Sequence, residues 1–292
     1  MRDEIFNNMD ECDLPPEREQ AHYKQYFTQE GTGMKPNMLR TRLLHGKPMI
    51  GTMIQEVASP FIVHAFANAG FDFVYVDMEH GRFSLETAAA LIQAIRLTEM
   101  VPLARVPDNQ YHLIARVLDA GARGVMIPRV EAREQAEKAV LAARFPPLGQ
   151  RGLAVARGHN DYKRQDPLSF AEEANRENLV IVQIESKAAV EHVDEIVSVP
   201  GVDAALIGPS DLSQSLGISM KMDHPAMIAA IEKVVASCKK HNVITGLHTG
   251  DQKAIRYWSQ NGVLLISGAS DLEILIDGSI QLCTSYREAV TV

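Results

Sequence analysis

Cysteine is scarce in this chain, and its spacing excludes more than its number does. Cys12, Cys238 and Cys283 are the only three among 292 residues. They are too scattered for a metal-spaced cluster, and an odd set of isolated thiols points to a reducing cytoplasm rather than a disulfide-stapled secreted fold. Long apolar runs are missing as well. Nothing approaches the roughly 20 residues of a membrane span, and the charged N-terminus lacks the pattern of a signal peptide. No basic run occurs, and 29 Lys and Arg against 37 Asp and Glu give a net charge of −8. That balance excludes the basic stripe of a nucleic-acid-binding surface. Nor does a lysine close a predicted strand where a Schiff base would form, since Lys187 lies past Glu185 in the start of a helix. The expectation is a cytoplasmic protein that acts on small molecules.

What the chain does contain is a regular alternation. Hydrophobic residues make up 46% of it, enough for one large core. Residues 1–33 mix Asn, Asp, Glu, Pro and Gly without a clear period and read as an N-terminal extension, disordered in part or laid across a neighbouring subunit. From Met49–Ile54 onward, short apolar runs alternate with helical patterns. Further strands are expected at Phe73–Asp77, 102–106, 124–130 and 179–186, from Ala205 onward, and at 244–247 and 263–267. Such runs, bounded by turn residues, suit strands buried on both faces. Gly70 and Gly121 are placed to end helices, and Ser84 to open one. Eight such units fit a (β/α)₈ barrel, which typically needs about 250 residues, over a domain at 34–292. Strand count alone leaves an open sheet as the other closure. The longest irregular segment, 145–165, is longer than an ordinary connection and reads as an active-site element or as disorder.

The chain is organised around 179–213, a β–α–β unit with Glu185 and Asp211 at or just beyond the ends of successive strands. That edge is where barrels and doubly wound sheets bind ligands. Two hard oxygen ligands there suit Mg²⁺ or Mn²⁺. The alternative for each alone is a helix cap or a turn. Asp77 and His80 close the second strand and enter its loop, and an acid beside a histidine can fix the tautomer a general base needs. Glu79, between them, reads as solvated or as a helix cap. Arg105, set among apolar residues near a strand end, needs a partner, either a keto-acid oxygen or a barrel carboxylate such as Asp77. Gln183 points the same way as Glu185. Gly208, Pro209 and Ser210 lead into backbone amides that can take a carboxylate. Asp119 lies near a helix end where the dipole disfavours it. Arg151, Arg157, His159 and Tyr162 fall in the long loop, either on a solvated surface or against substrate. His248 follows another strand, its role open.

With these residues in view, the chain resembles the HpcH/HpaI family of metal-dependent, class II pyruvate aldolases. The matching pieces are Ala-Gly-Phe-Asp-Phe-Val-Tyr-Val-Asp-Met-Glu-His-Gly at 69–81, Arg105, Pro-Pro-Leu-Gly-Gln-Arg-Gly at 146–152, Val-Gln-Ile-Glu at 182–185 and Ile-Gly-Pro-Ser-Asp-Leu-Ser at 207–213. The resemblance covers roughly 37–285 and implies a (β/α)₈ barrel that swaps its last helix in dimers, commonly assembled into hexamers. It implies that Glu185 and Asp211 hold a divalent ion (Mg²⁺ or Mn²⁺, with Co²⁺ a further option), with no organic cofactor. Arg105 would bind the keto oxygen, the amides around Ser210 and Asp211 the pyruvate carboxylate, and Gln183 would line the pocket. His80 would be the acid/base, poised by Asp77 and by Asp119 from a neighbouring subunit. Leu247 falls where the family shapes its aldehyde pocket, beside an unexpected His248.

The expected reaction is cleavage of a 4-hydroxy-2-oxo acid to pyruvate and an aldehyde. The cation and Arg105 would stabilise the enolate as it forms. Oxaloacetate decarboxylation uses the same enolate, and a citryl- or malyl-coenzyme A lyase shares the Glu/Asp pair. A barrel that only binds keto acids is the reading from another class, and it would not exchange the pyruvate methyl protons.

Overall fold

Eight parallel strands, each hydrogen-bonded to its neighbour in sequence and the last to the first, close a barrel. The structure is a computed structural model that describes residues 34–290, so the expected extension at 1–33 lies outside the described residues. In chain order the elements are α1 (Met38–Leu44), β1 (Met49–Ile54), α2 (Phe61–Ala69), β2 (Phe73–Asp77), α3 (Leu85–Arg96), β3 (Val101–Arg105), α4 (Tyr111–Asp119), β4 (Gly124–Ile127) and α5 (Arg133–Ala143). A loop with one 3₁₀ turn, Gly158–Asn160, leads to α6 (Pro167–Glu177) and β5 (Leu179–Ile184). Then come α7 (Lys187–Glu191), α8 (Val193–Val197), β6 (Ala204–Ile207), α9 (Pro209–Ser215), α10 (Pro225–His241), β7 (Ile244–His248), α11 (Gln252–Gln260), β8 (Val263–Ser270) and α12 (Asp271–Val290). The alternation read from the sequence is therefore a (β/α)₈ barrel.

Strand alternation divides the core into two layers. Met53, Phe73, Tyr75, Leu103, Met126, Ile181, Leu206 and Leu265 fill the barrel, and Leu39 and Leu43 of α1 pack into the same cluster. Val74, Val76, Val125, Val182, Ile207 and Ile266 point outward and meet Ile95, Ile114, Val234 and Trp258 on the helices. Each fully buried aliphatic or aromatic side chain of this kind contributes about 1.5–3 kcal/mol. Ser84 caps α3 by accepting from the Thr87 amide, as its position in the sequence predicts.

Several boundaries differ from expectation, each for a local reason. β4 stops at Ile127 rather than 130 because Arg129 takes a left-handed conformation, φ 53°. The helical part of the β–α–β unit at 179–213 is two helices, α7 and α8, broken where His192 leaves helical geometry. β8 runs on to Ser270, with Ala269 at φ 54° near its end. The loop at 145–165 is not simply a solvated surface, since Arg151, His159 and Asn160 are buried. Arg157 and Tyr162 are exposed.

The last helix stands apart. Asp271 is its only buried residue, and its carboxylate accepts from the amides of Gln55 (3.0 Å), Glu56 (3.1 Å) and Val57 (2.7 Å) in the loop after β1. Beyond it, Leu275 and Ile280 are each 60% exposed. No helix among the described residues is long and apolar enough to cross a membrane.

Candidate active site

The C-terminal ends of the strands surround a cavity of about 170 Å³. Arg105 from β3, Gln183 from β5, and Gly208, Pro209, Ser210 and Asp211 after β6 line it, with His80 from the loop after β2. The sequence placed all of these on one rim, and the barrel brings them to one cavity.

Asp77 and Arg105 face each other because they are register partners on β2 and β3. Arg105 Nε donates to Asp77 Oδ1 at 2.7 Å and Nη2 donates to Oδ2 at 2.5 Å. Gln55 Nε2 donates to Asp77 Oδ2 (2.7 Å) and the Glu79 amide to Oδ1 (3.0 Å). Burial pushes the Asp77 carboxyl up, but the bonds and charge of Arg105, with those of Gln55 and Glu79, hold it below the usual carboxylate range. Both oxygens are thus taken, and no hydrogen bond joins Asp77 to His80. The residue expected to poise His80 is instead the anchor of Arg105, because strand register sets these two opposite each other.

Glu79 also departs from its bland reading. Its side chain is only 8% exposed, and it pairs with Arg105 Nη1 at 3.3 Å and Arg129 Nη1 at 3.1 Å. Burial raises its pKa despite the nearby charges of Arg105, His80 and Arg129. A guanidinium has five N–H donors, so Arg105 keeps donors for the cavity after binding Asp77.

Glu185 is buried just beyond β5. Its Oε1 accepts from the Arg129 amide at 2.7 Å, delivered by that residue's left-handed turn, and its Oε2 accepts from Gln183 Nε2. Burial, reinforced by the negative charges of Glu79 and Asp211 and opposed by the Arg129 bond and Arg105, pushes its pKa up to about 7. Asp211 sits exposed in the first turn of α9 and makes no ion pair with a basic side chain among the described residues. The chain passes close to Glu185 at Gly208. A Cβ there would meet Gln183 Nε2 at 2.7 Å and Glu185 Oε2 at 3.0 Å.

Among the described residues no group of three or more His, Cys, Asp and Glu gathers as a metal cluster. Glu185 and Asp211 are two hard oxygen donors, the first raised in pKa chiefly by burial with the charges of Glu79 and Asp211 adding to it, and such a pair fits a hard divalent cation that keeps water or substrate oxygens elsewhere. Beside them, the first bond into α9 runs from the Leu212 amide to the Gly208 carbonyl. The Ser210 and Asp211 amides therefore have no intrahelical acceptor.

Two other expected site residues lie elsewhere in the chain. Leu247 is buried in the outer layer between strands and helices, and it does not line the cavity. Alternation along β7 turns Ile244, Gly246 and His248 inward, so His248 is the residue that enters. Asp119 ends α4 and binds Arg151 Nη2 at 2.6 Å, with His159 Nδ1 3.5 Å away. Sequence reasoning missed Gln55, Ser267, Ser270 and Glu273, which also line the cavity. Gln55 directly follows a strand, the signal that singled out Glu185. The serines carry no such signal.

A closed parallel barrel with buried acids and Arg105 at its C-terminal rim has the architecture of an enzyme that works at that edge. The family model for HpcH/HpaI aldolase/citrate lyase matches residues 53–278, and the chain belongs to that family. It is 33% identical over 238 residues to 2-dehydro-3,6-dideoxy-6-sulfogluconate aldolase of Pseudomonas putida, covering 82% of this chain and 92% of that one. It is 31% identical over 253 residues to 5-keto-4-deoxy-D-glucarate aldolase of Klebsiella pneumoniae, covering 87% and 98%. The crystal structure of the HpcH/HpaI aldolase from Desulfitobacterium hafniense superposes with a TM-score of 0.82 at 32% identity, over 86% of this chain and 96% of that one. Membership among these aldolases makes the chain a carbon–carbon lyase.

Proposed function

We propose that this chain is a metal-dependent pyruvate aldolase that cleaves a 4-hydroxy-2-oxo acid to pyruvate and an aldehyde. The observation that supports it most is the convergence of Glu185, Asp211 and Arg105 on one rim, with Arg105 fixed by Asp77. A divalent cation (Mg²⁺, Mn²⁺ or Co²⁺) held by Glu185 and Asp211 would supply positive charge beside the 2-oxo group. The amides of Ser210 and Asp211 hold the substrate carboxylate. Arg105 donates to the 2-oxo oxygen, where negative charge builds as the C3–C4 bond breaks. His80 takes the proton of the C4 hydroxyl, which becomes the aldehyde carbonyl, and the C3–C4 electron pair becomes the enolate of pyruvate. Gln183 lines the pyruvate end and holds Glu185 in place. Asp119 acts on the site of a neighbouring subunit, and the exposed apolar face of α12 docks on a second copy, giving swapped dimers within a hexamer.

The experiment is pyruvate release from a panel of 4-hydroxy-2-oxo acids and oxaloacetate, using EDTA-stripped and metal-restored protein. Metal-restored cleavage of a hydroxy-oxo acid, lost in Glu185→Gln and Asp211→Asn, is the expected result. Turnover of oxaloacetate alone would replace this reading with a decarboxylase. No turnover, and no metal-dependent exchange of pyruvate methyl protons, would leave a binding protein or a coenzyme A lyase.

A further inference from the structure

The cavity has a second wall that pyruvate does not need. The groups placed on pyruvate come from β3, β5 and β6, while β7, β8 and the loop after β1 close the cavity with His248, Ser267, Ser270, Glu273 and Gln55. His248 and Ser267 are register partners on adjacent strands, and His248 Nδ1 lies 3.0 Å from Ser267 Oγ. Ser267 is buried, so its hydroxyl holds the ring from behind. With Nδ1 turned to Ser267, Nε2 on the far side of the ring is left for a ligand.

The strand beneath permits little movement. Gly246 is the preceding inward residue, and a Cβ there would meet the Leu265 carbonyl oxygen at 3.1 Å and Leu206 Cδ1 at 3.3 Å. His248 is therefore the last side chain of a closely packed column. Burial and the Arg105 charge lower its pKa, against Glu273 and Asp77, which favours the neutral ring. If the serine donates to Nδ1, Nε2 carries the hydrogen and donates; in the other tautomer Nε2 accepts. A hydroxyl group satisfies either state, whereas an alkyl chain satisfies neither. Glu273, whose Oε2 accepts from the Ser270 amide at 2.6 Å, puts negative charge on the same wall and disfavours an anionic group.

We propose that His248, oriented by Ser267, is the specificity-determining residue for the aldehyde half of the substrate, and that it selects a neutral hydroxyaldehyde over an alkyl aldehyde or a carboxylate-bearing one. The proposal rests on the aldolase reading above and adds the substrate class. Its test is aldol addition by the metal-loaded full chain, with pyruvate as donor and matched acceptors: glycolaldehyde against acetaldehyde, glyceraldehyde against propanal, and glyoxylate as the anionic case. In the wild type, kcat/KM favours the hydroxylated partner by about tenfold or more, the scale of one buried hydrogen bond. His248→Leu brings that ratio near one, Ser267→Ala lowers it less, and His248→Gln restores part of it. A ratio that persists in His248→Leu, or a wild type that prefers alkyl aldehydes or glyoxylate, overturns the assignment. Pyruvate methyl exchange needs no aldehyde, so its loss in both His248 variants would place the residue at the pyruvate end and also overturn it. A wild type that catalyses neither exchange nor addition fails earlier, at the aldolase reading.

Discussion

The rim of the barrel has two arcs of different chemistry. From β2 to β6 it is built of charges tied to one another: Asp77 to Arg105, Glu79 to Arg105 and Arg129, and Glu185 to the Arg129 amide. From β7 round to β1 it presents mostly neutral hydrogen-bonding groups, His248, Ser267, Ser270 and Gln55, with Glu273 as the one acid. Buried charges hold fixed positions only when each has a partner, and removing one strands the other. Neutral polar groups can be exchanged at smaller cost. The charged arc is therefore suited to a reaction common to many substrates, and the neutral arc to the part of the substrate that differs.

This contrast is sharpest at Glu185 and Asp211, the proposed metal pair. Glu185→Gln or Asp211→Asn lowers metal-restored kcat/KM by about 1,000-fold or more, the scale of lost electrostatic stabilisation of a developing oxyanion; steady-state rates across a metal titration check it. The next effect is on stability. A folded-state pKa near 7 for Glu185 lies above its unfolded value, so the folded metal-free protein holds a proton that the unfolded chain gives up. Its stability consequently falls as pH rises from about 4.5 to 7, by up to about 3 kcal/mol, and stays lower above that. Urea midpoints measured in EDTA against pH should show the decline, and Glu185→Gln should flatten it. Arg105→Lys keeps the charge but loses the paired geometry with Asp77, and kcat falls about 100-fold; an unaltered kcat would break the division between the arcs. Smallest is Gly208→Ala, whose methyl group displaces Gln183 and Glu185. Metal affinity weakens about tenfold by calorimetry, the usual scale for disturbing the surroundings of a ligand.

The charged arc was also the legible one. An acid or arginine at the end of an apolar run stands out because nothing in a buried strand explains it, which is how Glu185, Asp211, Asp77 and Arg105 were found. Their pairing was harder to read, since register between strands is not written in either strand alone. From sequence Asp77 reads either against His80, its neighbour in the chain, or against Arg105, and β2–β3 register selects Arg105. Leu247 and His248 show the related limit: they are neighbours on β7, and alternation sends Leu247 to the outer layer and His248 into the cavity. Ser267 and Ser270 left no trace because serine at a strand end is unremarkable. The eight-strand alternation was readable because every unit repeats the same buried-strand and amphipathic-helix pattern.

The clamp that Asp271 makes on the loop after β1 has a practical consequence for anyone shortening this chain. Helix α12 exposes Leu275, Ile276, Ile280 and Leu282, so cropping it is an obvious route to a better-behaved sample. Its first residue, however, fixes the backbone of Gln55, whose side chain reaches Asp77 and through it Arg105. A cut made before Asp271 would release the first link of that series, whereas one placed after Glu273 would keep the anchor and discard most of the apolar face.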